Sequence, residues 1–524
     1  MKRGMSVFLI IFIILIMLFL GSSLSGKISF DIPLLHFFED NKLLGESSFS
    51  NENIFLGTFI SEFQDYATFY FLDTDEGLYE LIFTETPSSL APGNFLEVSG
   101  VLEGEVIFVS SYSVISAARV DIPPNPTIGE QRVALVLIKF LDNLNEPISL
   151  DDADSLGDEV DQFYQRASYG KTSMNIDVFG YYTINGLSAN CNYRNWRLNI
   201  VYGYGISPLP SQDIPDWTKY DRLVIAFPLN EDCSFSGVAR TAPESFLVPH
   251  GSSPITHYMT VSWLNGASPR GLDVGTFSHE LGHNQGLLHA SDLECGQETV
   301  GEGCYSVEYG DFYDVMGRPS SGYLVDAPDF NVIHKEKLGW LDQSDILEIT
   351  SDSNGFYDLG AIEVTDPLYP EGIKFLAPTR GNDYYIEYRL PIGADANADP
   401  RFFDGVILRL DYNDGDSDTH LLDTSPHSNE IIDQVADSDF SLLRLEEDYI
   451  DSDEEFSVQL ISLDPMHARI RVWDPVLCGN NIVDAGEGCD DGNTLIGDGC
   501  SSFCDREPII FKEDDKKNKD RNGN

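Results

Sequence analysis

Residues 279–289 read HELGHNQGLLH and carry three of the ten histidines in a chain of 524 residues. On a helix, His279 and His283 lie one turn apart on the same face, so both imidazoles can bind one metal ion. Gly286 allows the chain to leave the helix sharply, and the turn brings His289 to the same ion. Three imidazoles leave a fourth position open, which is typical of a catalytic zinc site. Glu280 is adjacent to a ligand and can take a proton from water there.

This stretch resembles the zinc-binding signature of the metzincin metallopeptidases. Residues 309–317 (YGDFYDVMG) resemble the turn that places a methionine, here Met316, beneath the metal in that clan. Three short sequences are most similar to those of the gametolysin-type members: HNQGLLHA at 283–290, SYGK at 168–171 and KLGWL at 337–341. Some metzincins have a tyrosine two residues after the methionine that assists the oxyanion. That position is Arg318 here, so no tyrosine role carries over.

The resemblance covers about residues 130–345 and implies a zinc endopeptidase. It implies one zinc ion held by His279, His283 and His289, with Glu280 as the general base in peptide-bond hydrolysis. In this clan an edge strand upstream of the zinc helix pairs with extended substrate. We therefore expect residues 255–263 to form that edge strand and to bind an unfolded or loop segment of a protein.

Patterning divides the chain into segments. Residues 1–26 are a signal peptide or an N-terminal anchor, because a basic start precedes an apolar run that is short for a membrane span. The predicted fold is multidomain, with an α/β (α+β) metzincin-like catalytic domain at 122–345. A small OB-like β-barrel at 27–121, an accessory or pro-region, precedes it, and a β-sandwich at 346–475 follows. A disulfide-stapled module at 476–506 and a disordered tail at 507–524 complete the chain.

Eight cysteines in two clusters of four predict disulfides and an oxidising compartment. We expect Cys191 to pair with Cys233 and Cys295 with Cys304. The last four cysteines can pair in three ways, and all three are open; they are Cys478, Cys489, Cys500 and Cys504. They belong to a segment that resembles a short cysteine-rich repeat of prokaryotic surface proteins. Five carboxylates of this segment are either calcium ligands or solvated turn residues, and both interpretations are open. They are Asp484, Glu487, Asp490, Asp491 and Asp498.

Composition limits the classes of molecule that the protein can bind. The 86 acidic residues outnumber the 32 basic ones, for a net charge of −54, which argues against nucleic-acid binding. We expect a monomeric, secreted or cell-surface protein that acts on extracellular proteins or peptides. It contacts a membrane only if the N-terminal segment is uncleaved.

The sequence leaves open how the site is kept inactive and whether it is active at all. The first 190 residues contain no cysteine that could cap the zinc, so any latency depends on a carboxylate or on steric cover by the N-terminal β-domain. The alternative function is a surface adhesin with an inactive metzincin-like domain, although the complete set of Glu280 and three histidines argues against it. We interpret His250, His257 and His334 as core or surface histidines rather than ligands.

Overall fold

A computed structural model describes most of the chain from Asn53 onward as one compact unit. The described residues are 53–507 except 65–66, 85–86, 88–89, 117–125, 190, 204–205, 208–214, 252, 267–271, 297, 302, 318–326, 397, 399, 425–441, 446, 452, 454–455, 476–478, 480, 484–487, 494, 496–498, 502–503 and 505. The predicted signal peptide or anchor and nearly all of the predicted tail therefore lie outside them. Within the described part, no helix has the length and apolar character needed to cross a membrane. The fold is mostly β.

Five strands close a small barrel at the start of the described chain, as predicted. They are β1 (Asn53–Gln64), β2 (Ala67–Thr74), β3 (Gly77–Ile82), β4 (Phe95–Glu103) and β5 (Val106–Ser116). The ring closes in the order β1-β2-β3-β5-β4 and back to β1, with one parallel pair, β3 with β5. Alternate apolar side chains point inward and form the core, among them Phe59, Leu72 and Ile107.

The barrel continues directly into a mixed sheet. Its elements are β6 (Gly129–Phe140), α1 (Leu150–Ala167), β7 (Thr172–Ile184), α2 (Tyr193–Tyr202), β8 (Ile206–Ser207), β9 (Arg222–Phe227), β10 (Gly237–Arg240), β11 (Glu244–Val248), β12 (Ile255–Asn265) and α3 (Val274–Asn284). The strand order is β1-β10-β12-β9-β6-β7-β8, and β11 also pairs with β12. Strand β1 thus belongs to the barrel and to this sheet.

Both faces of the mixed sheet are covered by helices. Along β6, Val133, Leu135 and Leu137 point to the side that carries α1 and α3. The intervening Val136 and Ile138 point to the side that carries α2. A strand buried on both faces reads as a continuous apolar run, which is how residues 132–140 appear in the sequence. This layering holds the helix of the HELGH stretch against the sheet.

The prediction that residues 255–263 form an edge strand is wrong. They do form a strand, but β12 is interior, because β9 pairs with it in parallel while β10 and β11 pair with its other side. The strand of the helix-covered layer that lies beyond β12 is β10, and its outer side pairs with β1 of the barrel. Strand β10 has only four residues, all buried. Its short sequence, GVAR, has no alternation that would have marked it as a strand.

Two further sheets follow α3 and share one core. The elements are β13 (His289–Glu294), β14 (Tyr305–Val307), α4 (Val332–Lys337), β15 (Ile346–Ile349), β16 (Gly355–Gly360), β17 (Gly372–Phe375), β18 (Tyr384–Tyr388), β19 (Gly405–Leu410), β20 (Ser417–Leu422), β21 (Leu442–Arg444), β22 (Asp448–Asp451), β23 (Phe456–Leu463) and β24 (His467–Trp473). One sheet has the order β14-β13-β20-β19-β18-β17-β15, with β21 on β19, and the other β16-β24-β23-β22. Strand β13 begins at His289 and runs parallel to β20.

Candidate metal centre

Helix α3 carries the first two histidines and is fixed at both ends. The side chain of Asp273 caps its start by accepting a hydrogen bond from the Thr276 backbone N–H at 2.7 Å. After the helix, Gly286 adopts a φ of 97°, a left-handed conformation that favours glycine. The chain then enters β13 at His289. The predicted turn at Gly286 is therefore present, and it returns the chain to the face of α3 that carries His279 and His283.

The three histidines are buried and converge. Their candidate ligand atoms all lie within 4.8 Å of one another. The Nε2 atoms of His283 and His289 are 3.2 Å apart. A tetrahedral ion with metal–nitrogen bonds of about 2.0–2.1 Å requires a separation of about 3.3 Å between two ligand nitrogens. The cluster could therefore hold a metal ion of that size.

Each imidazole is oriented through its other nitrogen. The Nδ1 atom of His279 hydrogen-bonds to the Val315 carbonyl oxygen at 2.8 Å, and that of His283 to the Leu287 carbonyl oxygen at 2.9 Å. The Nδ1 atom of His289 lies 2.9 Å from Oε1 of Glu308. With the Nδ1 atoms acting as donors, the Nε2 lone pairs face one another. This arrangement of oxygen partners behind the ligands is typical of metal sites.

Burial also keeps the three imidazoles uncharged. It lowers the pKa of His279 to about 4 and holds the pKa values of His283 and His289 well below the usual range. Neutral imidazole is the form that binds metals, so at neutral pH no proton has to be removed first.

Met316, which the sequence predicted to lie beneath the metal, packs against helix α3 at Gly282. It is fully buried, and a Cβ atom on Gly282 would lie only 2.3 Å from its sulfur. The glycine within HELGH is thus needed for this close approach. The Met316 backbone N–H donates to Oδ1 of Asp314 at 2.6 Å, and its carbonyl oxygen accepts from Ala290 N at 3.0 Å. The first bond lies within the methionine turn, and the second ties the turn to β13.

Glu280 is buried and packs on β10. A Cβ atom on Gly237, the first residue of β10, would lie 2.1 Å from Oε1 of Glu280. Gly237 therefore leaves the space in which the carboxylate lies, and a side chain there would displace it. No feature of the sequence around residue 237 pointed to this contact.

Three more neighbours of the histidines were not foreseen. The ring of Phe63, from β1 of the barrel, stacks on His283 with centroids 4.8 Å apart and meets His289 edge-on at 5.1 Å. Tyr309 packs on His289 at 4.0 Å. Glu308 orients His289 from the residue before Tyr309. Glu308 lies directly before the methionine turn and Tyr309 is its first residue, and this position could have suggested both contacts. Nothing in the sequence near Phe63 indicates contact with residues far along the chain.

The remaining histidines named from the sequence lie outside the cluster. His250 is exposed, and Nε2 of His257 lies 2.8 Å from the Tyr220 carbonyl oxygen. His334 is buried between Asp314, at 2.9 Å, and Asp418, at 2.8 Å. Within the part of the chain that the structure covers, the three histidines of residues 279–289 are the one group of metal-ligand type that comes together.

The cysteines pair largely as expected. Cys191 pairs with Cys233 and Cys295 with Cys304, and a third disulfide joins Cys489 to Cys500. Cys504 is also disulfide-bonded, and no cysteine among the described residues is free. Cys478 lies outside the described residues. Three disulfides fit an extracellular protein.

Two of the five carboxylates considered for calcium are described. The carboxylate of Asp490 accepts hydrogen bonds from the backbone N–H groups of Gly479, Asn481 and Gly492, at 3.0, 3.1 and 2.7 Å. Asp491 accepts one from the Cys500 N–H at 3.2 Å. Both side chains thus bind the module's own backbone. Asp484, Glu487 and Asp498 lie outside the described residues, as does Arg318.

Comparison of the whole sequence with protein-family models and with curated proteins finds no match.

Proposed function

We propose that the protein is a secreted or cell-surface zinc endopeptidase of the metzincin type, similar to the gametolysin-type members, that cleaves extracellular proteins. The observation that carries the proposal is the buried, converging set of His279, His283 and His289, with Glu280 on the same helix. Three neutral imidazoles backed by oxygen partners suit zinc and leave a coordination position open, as catalytic rather than structural sites do.

The chain's own residues divide the remaining tasks. When bound, zinc lowers the pKa of water towards about 7 and polarises a carbonyl group. Glu280, held against Gly237, takes the proton of the attacking water and later delivers it to the leaving amine. Met316 supports the histidine-bearing helix from below through its contact with Gly282.

The fold supports the same class. A mixed sheet, the helix α3 beneath its β10–β12 side and a methionine turn that holds His279 through the Val315 carbonyl form one assembly. In metzincins the edge strand beside the metal pairs with extended substrate, and here β10 is the outermost strand of the helix-covered layer, with β1 of the barrel on its outer side. We therefore assign substrate pairing to β10 instead of β12.

The test is hydrolysis of casein or gelatin by the purified mature protein. Zinc-loaded wild type should cleave, a chelator should abolish cleavage, and added zinc should restore it. Glu280→Gln should still bind one zinc per chain but lose activity by a factor of about 100 or more, the range of a lost general base. Cleavage is measured also on the variant E62A/F63A, because β1 lies beside β10 and the ring of Phe63 covers His283. Zinc-loaded protein without chelator-sensitive cleavage in any of these forms would contradict the proposal.

A further inference from the structure

The second half of strand β1 stays paired with β2 of the barrel on one side and lies along β10 on the other. The two strands are antiparallel, with Glu62 opposite Arg240 and Phe63 opposite Ala239. The Thr241 backbone N–H donates to the Ser61 carbonyl oxygen at 3.0 Å. Added strands of this kind are how extended peptides bind to a sheet, since main-chain hydrogen bonds recognise any sequence in extended form. The position beside β10 is therefore filled by the chain itself.

Glu62 anchors this segment. Its carboxylate is fully buried and lies 2.9 Å from Nε of Arg240 and 2.7 Å from Nη2 of Arg194, and it accepts a hydrogen bond from the Tyr193 hydroxyl at 2.7 Å. Burial raises the pKa of Glu62, but the two arginines outweigh it and hold the pKa below its usual value, so the group is charged. A buried charge with several partners fixes the register of the strand, because any shift would leave the charge unpaired.

Phe63 covers the histidines. Adjacent side chains of a strand point to opposite faces, so Phe63 points away from the arginines and towards α3. Its ring stacks on His283 with only 8° between the planes and meets His289 edge-on, and the residue is 1% exposed. A polypeptide that brought a carbonyl group to the histidines along β10 would have to pass through the volume of this ring.

We propose that β1 occupies the place of an extended peptide substrate beside β10, so that the barrel is a built-in inhibitor anchored by Glu62 and capped by Phe63. The inference rests on the proposed function, since it concerns the same site. The position beside β10, here called the groove, should therefore suit an extended segment that has a carboxylate for Arg194 and Arg240 followed by an aromatic ring. Because the occupant is tethered, its effective concentration is on the order of millimolar, and free substrate competes poorly until β1 is released.

The probe is a fluorescent peptide that copies residues 57–66 (GTFISEFQDY), with a control peptide carrying alanine at positions 62 and 63. Binding is measured by anisotropy on the full-length, zinc-loaded chain. Wild type should bind the probe weakly. The variant E62A/F63A and a chain cut at a protease site inserted within residues 117–125 should bind it about tenfold more tightly or better. The matched control is Phe108→Ala, a change of the same type at a residue of β5 that is 46% exposed.

A second measurement uses a milder variant, in case E62A/F63A folds poorly. In Glu62→Gln, which keeps the shape of the side chain, hydrogen exchange of the β10 amides should be faster than in wild type, while exchange in the barrel core should be unchanged. Casein hydrolysis should rise with probe binding. Equal probe affinity for wild type, the control and the variants, or no binding to any of them, overturns the inference. If the variants alone bind the probe but no form hydrolyses casein, the proposed function fails while the occupancy by β1 stands.

Discussion

At the scale of single residues, Gly237 determines where the carboxylate of Glu280 can lie. A Cβ atom there would come within 2.1 Å of Oε1. Gly237→Ala should leave zinc affinity unchanged, because no ligand moves, but should displace the general base by about 1 Å and lower hydrolysis by a factor of about 100. The comparison is made in the E62A/F63A background, in which the groove is open, with zinc content measured in parallel.

The matched control is Gly355→Ala, the same change at the first residue of strand β16. There the nearest atom to an added Cβ is 3.9 Å away, so the change is accommodated. A Gly237→Ala variant as active as Gly355→Ala would show that the packing of Glu280 on β10 does not position the base.

The residues of the site differ in how far the sequence could predict them. His279, His283, His289, Glu280 and Gly286 lie within one turn of helix and the turn that follows it, so local spacing specified them. Glu308, Gly237 and Phe63 reach the same site from three other elements. Their roles depend on strand pairing over long sequence separations, which local periodicity does not encode.

At the scale of elements, helix α3 has only eleven residues and carries two of the three histidines, near its middle and its end. A helix this short depends on its caps. Asp273→Ala removes the hydrogen bond to Thr276 N and should lower the free energy of unfolding by about 1 kcal/mol. Because the lost cap belongs to the ligand-bearing helix, zinc affinity should fall as well, as measured by competition with a chromogenic chelator.

The control is Ser149→Ala, which removes the corresponding cap of α1, where Ser149 accepts from the Asp152 N–H at 3.1 Å. It should destabilise the protein to a similar extent without changing zinc affinity. Equal losses of zinc affinity in the two variants would mean that the cap of α3 acts on global stability alone.

Element prediction succeeded where apolar patterns were long and failed where a strand was short. A barrel of five strands lies within residues 27–121, where patterning predicted one, and β12 includes the predicted strand at 255–263. Strand β10 was missed, and β12 was therefore assigned to the edge. Four buried residues carry too little pattern, and their position is set by β12 and β1 on either side.

At the scale of the whole molecule, His334 joins the methionine turn to the sheet that contains β13 and β20. It bridges Asp314, which holds the Met316 N–H, and Asp418 on β20, which also pairs with Lys337 at 3.3 Å. Burial alone would lower the pKa of His334, but the two carboxylates outweigh it and raise the pKa to about 9. Protonated His334 therefore stabilises the fold fully below about pH 6.5, and this stabilisation is lost as the pH rises through 9.

Unfolding by urea should reveal this group. Between pH 6.5 and 9 the free energy of unfolding of wild type should fall by on the order of 2 kcal/mol more than that of His334→Gln. His257→Gln, which changes a histidine outside the bridge, should keep the slope of wild type. Parallel pH profiles for wild type and His334→Gln would contradict the assigned bridge.

The pairing of β13 with β20 has a consequence for the order in which the molecule is built. The chain is synthesised from its N-terminus, so the barrel emerges long before the histidines do. When His289 leaves the ribosome, the strand that will lie beside it has not been made, because His289 pairs with Ser417. The third ligand can settle only after most of the chain has emerged, by which time Phe63 is already available. If the proposed function holds, the centre is completed beneath a cover made earlier, and a newly made chain cannot cleave its neighbours.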